Sequence, residues 1–169
     1  MTQSNPDLAH DWAKNRISVK SLFIVFFYRA SSWFAQHPQC LIRLAGIPVR
    51  ILYKLAVEIV MGCELPDRVK SGPGLAVFHG MGLVVHSGTV LGCGVTLRQN
   101  TTIGAKHAHG AAPVIGNNVS VGANVVILGN ITIGDNCEIG AGAIVVQNCA
   151  PGSVMIGHKA EVRSNEEYG

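Results

Sequence analysis

From Ile115 to Val146 an aliphatic residue returns at every sixth position and is usually followed by a small one, so that Ile115, Val121, Ile127, Ile133, Ile139 and Val145 share one register. A period of six is neither the face of a helix nor the alternation of a single strand. It is the period of a β-helix built from hexapeptide blocks. In each block the aliphatic lead residue points inward, a second small or branched residue four places later (Val119, Val125, Ile131, Cys137, Ala143) fills in beside it, and Gly or Asn makes the bend. One block cannot bury its own apolar face, so the blocks must stack. The register extends backwards through Val85, Leu91, Leu97 and Ile103, and the insertion Gly104 to Val114 returns the chain to Ile115 in phase.

Ahead of the repeat the period changes. Residues 1–16 are polar and read as a loosely held tail. From Ser18 to about Gln36, Leu22, Val25, Phe26, Arg29, Ala30, Trp33 and Phe34 recur at helical spacing until the His37-Pro38 step. A second helix is expected from Gly46 and Pro48 to about Met61, with Gly62 as its stop and Arg50, Lys54 and Glu58 as a polar stripe. Two short apolar helices need a surface to lie on: each other and neighbouring subunits, or a membrane surface met by their aromatic and basic residues. Cys63 to Phe78, rich in Gly and Pro, leads into coils expected over about Leu75 to Ala150. Pro151-Gly152 breaks the repeat, and Ser153 to Val162 is expected to cover the open end. The expected organisation is thus a tail and two helices over 1–62, a β-helix domain over 63–162 and a charged tail over 163–169, a mainly β chain with a short helical segment in front.

Composition narrows the classes. Apolar residues make up 48% and charged residues 14%, which leaves apolar surface for an oligomer interface or a membrane. The net charge of +3 is uneven: residues 1–60 carry seven Lys or Arg against three acids, and the rest six against seven. No basic stripe of the kind that binds nucleic acid is present. Five cysteines without a CxxC pair read as buried free thiols of a reducing cytoplasm. Leu22 to Phe27 is too short for a span or a signal-peptide core, so an unsecreted, cytoplasmic protein is expected, with the inner face of the membrane open to it.

His79 falls on a lead position, in HGMGLV, where later blocks place Val, Leu or Ile. An imidazole in an aliphatic slot needs hydrogen-bond partners, as a structural histidine or as a functional one. Glu64 stands fifteen residues earlier, about one coil away, either as a solvated charge or as a partner of that imidazole. With the helices in front, the run FHGMGLVV, the interrupting loop and VGANVVILGNITIGDNCEIGAGAIVV, residues 62–162 resemble the serine acetyltransferase branch of the hexapeptide acyltransferases. Within that branch the likeness is to the bacterial exopolysaccharide acetyltransferases of the colanic acid biosynthesis type.

The resemblance implies a left-handed parallel β-helix, a homotrimer and an acetyl-CoA-dependent O-acetyltransferase acting on a sugar hydroxyl. His79 is then the catalytic base and Glu64 its orienting acid, with no metal and no acyl-enzyme. It places the pantetheine arm of acetyl-CoA against the small residues Ala105, Ala123 and Ala141, which are also what a tight coil corner demands. Lys159, in GHKAEV, is matched to the cofactor's phosphates. Serine acetyltransferases carry charged residues before the catalytic His and before the loop's exit Pro, where this chain has Phe78, Ala111 and Ala112. That difference favours a sugar ring over free serine. Lys106, His107 and His109 in the insertion are candidate acceptor contacts, and a lone HxH is weak evidence for a metal. Serine O-acetylation, a zinc hydratase on the same β-helix and a non-catalytic scaffold remain the alternatives.

Overall fold

A computed structural model describes residues 8–16, 18–107 and 110–157. The repeat closes into a parallel β-helix of about five coils, each giving one strand to each of three sheets. The first coil is β1 (Cys63–Glu64), β2 (Lys70–Ser71) and β3 (Ala76–Phe78); the second is β4 (Leu83–Val85), β5 (Val90–Leu91) and β6 (Thr96–Arg98). The third is β7 (Thr102–Gly104), β8 (Val114–Ile115) and β9 (Ser120–Val121), and the fourth is β10 (Val126–Leu128), β11 (Thr132–Ile133) and β12 (Glu138–Ile139). In the fifth, β13 (Ile144–Val145) and β14 (Val154–Met155) extend the first and third sheets, and an Ile133–Cys149 bridge extends the second.

The period of six is realised as expected. Lead residues stack on lead residues, Ile103 on Ile127 on Val145 and Leu91 on Ile115 on Ile133. All ten, from Val85 to Val145, are at most 3% exposed, and Val119, Val125, Ile131, Cys137 and Ala143 are buried beside them. Each such aliphatic burial is worth roughly 1.5–3 kcal/mol, which holds together strands of only two or three residues. The corners between the second and third sheets hold Gly74, Gly94, Asn118, Asn136 and Gly152, all with left-handed φ between 53° and 77°. Gly and Asn are the residues that tolerate that backbone.

The segment Cys63 to Phe78 is not a lead-in but a complete first coil, with Leu65 and Val77 inward. Ser153 onward, expected to cover the far end, continues the third sheet through β14; residues 158–162 of that segment lie outside the described residues.

The helical segment differs from expectation at both ends. Residues read as a loose tail form α1 (Leu8–Asn15), α2 spans Val19–Gln36 with Ser18 as its N-cap, and an unforeseen short α3 covers Cys40–Ala45. Then α4 (Ile47–Tyr53) runs on as a π-helix, Lys54–Val60, to Gly62 at φ +62°.

These helices cover the first coil and satisfy the backbone groups that no preceding coil could reach. The Asn15 amide donates to the Leu75 carbonyl at 2.8 Å and accepts from the Val77 N–H at 3.2 Å, taking the part of a neighbouring strand. Asp11 accepts from the Leu75 N–H and pairs with Arg29 at 2.7 Å, while Arg29 donates to the Ser71 and Gly72 carbonyls. The Tyr28 hydroxyl donates to Val69 O and the Tyr53 hydroxyl to Leu65 O. An open sheet edge thus becomes a finished one.

Candidate functional site

His79 does not occupy a core slot. The strand register sets Val77 on Leu97 and Phe78 on Arg98, so Val77 is the inward residue of the first coil. The corner that follows, from Phe78 to Val84, is two residues longer than its counterpart from Arg98 to Thr102. That excess carries His79 out of the six-residue phase and onto the edge between the third and first sheets, exposed, at φ +67°. Every other residue with left-handed φ among the described residues is Gly or Asn. A histidine there is strained by roughly 1–2 kcal/mol, and such strain gathers at functional sites. The corner is held open by Gly82, whose N–H donates to Gly62 O at 2.7 Å. At φ +67° and packed on the Asn100 amide, Gly82 has no room for a Cβ.

Glu64 lies in β1, paired with Val84, the strand that the His79 corner feeds. It is exposed and makes no hydrogen bond or ion pair with His79, so the fold brings the two to one region without coupling them. Farther along the same edge sit Asn100, then Ala123 and Asn124, then Ala141 and Gly142. Ala123 is half-buried, Ala141 exposed, and a side chain at Gly142 would meet nothing within 4 Å. Among the described residues the N–H groups of Ala123 and Ala141 have no protein acceptor.

Ala105 is not on that edge. With Lys106 and His107, both exposed, it starts the insertion after β7, at the edge between the first and second sheets. Ala111 and Ala112 return the loop there, Ala112 near Gly88. His109 and Lys159 lie outside the described residues. No group of three His, Cys, Asp or Glu poised for a metal occurs among the described residues.

Of the cysteines, Cys63, Cys137 and Cys149 are buried and free as expected, whereas Cys40 and Cys93 are exposed. Burial pushes the Cys63 thiol up to about 12, which keeps it protonated and unreactive.

Two neighbours of the His79 corner are not marked by the repeat pattern. Arg98, half-buried and outward beside Phe78, donates through Nη1 to Ser120 Oγ at 3.2 Å and Val121 O at 3.1 Å, with no acid paired to it. Gln99, next to it, keeps a buried side-chain Oε1 without a partner. A cation and an orphaned amide oxygen beside a strained histidine mark a polar site. The signal was the run Arg98-Gln99-Asn100, at the same corner where later coils carry Ala123-Asn124 and Ala141-Gly142.

Residues 112–147 match the family described as bacterial transferase hexapeptide (six repeats). A comparison with curated proteins finds no match. Among solved structures the fold is similar to serine acetyltransferase isoform 3 of Entamoeba histolytica in complex with cysteine, with TM-score 0.76 and 20% identity over 95% of this chain and 61% of that one. It is similar to soybean serine acetyltransferase, at 0.72 and 23% over 91% and 66%. It is also similar to Neisseria gonorrhoeae serine acetyltransferase in complex with serine, at 0.69 and 25% over 92% and 66%. The chain spans under two thirds of the length of these structures. Over residues 112–147 its repeat is thus of the bacterial transferase hexapeptide kind, and its fold is shared with serine acetyltransferases.

Proposed function

We propose that the chain is an acetyl-CoA-dependent O-acetyltransferase with His79 as general base. The observation that carries this reading is the exposed, left-handed His79 on the same edge as the free N–H groups of Ala123 and Ala141. The imidazole takes the proton of an acceptor hydroxyl as its oxygen attacks the thioester carbonyl. When the adduct collapses the C–S bond breaks, and the imidazolium returns its proton to the departing thiolate. We assign Glu64, one strand away and without contact to His79 in the free chain, as the acid that steadies the imidazolium once it forms.

The comparisons support serine as acceptor more than an exopolysaccharide, and Arg98 offers its carboxylate a cation. A sugar hydroxyl of an exopolysaccharide or its precursor is the second reading, favoured by the Phe78 ring and by Ala111 and Ala112. Coenzyme A release with serine and with hexoses separates them: release with serine is the expected result, release with sugars alone moves the assignment to the second reading, and release with neither removes the reaction.

We also propose a trimer. The outer faces of the first two sheets expose Val84, Ile144, Val90 and Val114. His79 and the Ala105 loop stand on different edges of one chain, so a neighbour's loop completes the site. Subunits carrying His79→Ala mixed with subunits carrying Ala105→Trp should regain activity, because some interfaces keep both native residues. Light scattering that shows a monomer would remove the basis of this.

A further inference from the structure

Fourteen of the 22 large apolar side chains exposed among the described residues lie in the helical segment, although the β-helix is the longer part. On α2 they form one stripe. Val19, Phe23, Phe26 and Trp33 face outward, Phe26 60% and Trp33 48% exposed, while Ile24, Tyr28 and Arg29 on the other side are docked on the first coil. From α4 into the π-helix a second stripe, Ile47, Ile51, Leu55 and Ile59, repeats every four residues and is also exposed. Neither stripe covers the β-helix core. Both are surplus to folding.

Among the described residues of the helical segment, the charged side chains that are exposed are all cations. Arg43 and Lys54 are exposed beside the second stripe, and Arg16 beside the start of α2. The described acids of the segment are less open to solvent: Asp11 is buried against Arg29, and Glu58 is half-buried. An open cleft of about 440 Å³ lies between α4, the π-helix and the first coil. It sets Arg50, Lys54 and Arg68 next to Ile47 and Ile51, against two acids, the half-buried Glu58 and Asp67, the latter paired with Arg50 at 2.7 Å.

We propose that this helical end docks on an anionic lipid surface, its Phe, Trp and Ile side chains in the interface and its cations on the headgroup phosphates. Aromatic and aliphatic stripes rimmed by Lys and Arg are what lies flat in a bilayer interface. No described helix is long and apolar enough to cross a membrane, so the contact is lateral. A second copy of the same face would bring like charges together, whereas an anionic surface answers them. The proposal does not depend on the acetyl-transfer reading.

The test is co-sedimentation of the full chain with phosphatidylcholine vesicles, with and without phosphatidylglycerol, at low and high salt. Binding to the anionic vesicles, weakened by salt, is expected. Arg43→Ala and Lys54→Ala should each weaken it about fivefold, from roughly 1 kcal/mol per cation. Phe23→Ser with Phe26→Ser should abolish it while the melting transition stays within the range of the parent, since both side chains face away from the core. Absence of binding to anionic vesicles overturns the proposal. So does binding indifferent to both sets of variants. A drop in assembly mass in the Phe23/Phe26 variant, with no vesicle binding by the parent, identifies a second copy as the occupant instead.

Discussion

His79→Asn separates the cost of the site from its use. The corner position that repeats along this edge, Gly82, Asn100, Asn124 and Gly142 at φ 67°, 55°, 57° and 72°, holds only Gly or Asn, whereas His79, in the two-residue excess before Gly82, keeps the same left-handed backbone at 67° without being either. An ordinary L-residue in that backbone costs roughly 1–2 kcal/mol, most of which Asn avoids. Histidine tolerates the region better than most side chains, which trims the expected gain to about 0.5–1 kcal/mol. For a chain of this size that raises the melting midpoint by about 1–4 °C. Turnover should fall roughly 100-fold to 10,000-fold through loss of the general base. Thermal unfolding read by circular dichroism, alongside coenzyme A release read by a thiol reagent, gives both numbers on one preparation. A variant less stable than the parent would show that the His79 backbone is not strained. Turnover within about tenfold of the parent would show that His79 is not the base.

Asp11→Ala should destabilise by about 3–5 kcal/mol, because it strands the buried Arg29 and removes the acceptor of the Leu75 N–H; chemical denaturation checks this. Arg98→Leu should raise the KM for an acceptor bearing a carboxylate about tenfold or more while leaving the KM for acetyl-CoA within about twofold, as expected for the loss of one charge-assisted hydrogen bond. Equal effects on both substrates would assign Arg98 to the donor instead. Ile127→Ala should cost about 2–5 kcal/mol, since that residue is fully buried between Ile103 and Val145; a smaller loss in denaturant titration would mean that the coils relax around the cavity.

The sequence determined the β-helix because its information is local and repeated. A six-residue period with an aliphatic lead residue specifies strand, corner and inward side at once, and each coil reads the same way, so Val85 to Val145 could be assigned to the core residue by residue. The Ser18 cap and the His37-Pro38 step likewise set the bounds of α2 through contacts a few residues apart. Where the period slips, that logic ends. The two extra residues between Phe78 and Val84 put His79 on an edge instead of in the core, and only the pairing of Phe78 with Arg98 and Val84 with Thr102 shows the slip. The same pairing brings Arg98 beside Phe78 across twenty residues, and sets Ala105 on a different edge from Ala123 and Ala141, both invisible along the chain. Residues 8–15 looked like a tail because their few polar anchors find partners only sixty residues away. Asp11 and Asn15 become structural when the first coil presents Leu75 and Val77 to them. Short-range pattern decides which strands form; which side chains meet depends on how coils of unequal length stack, and that is settled only in three dimensions.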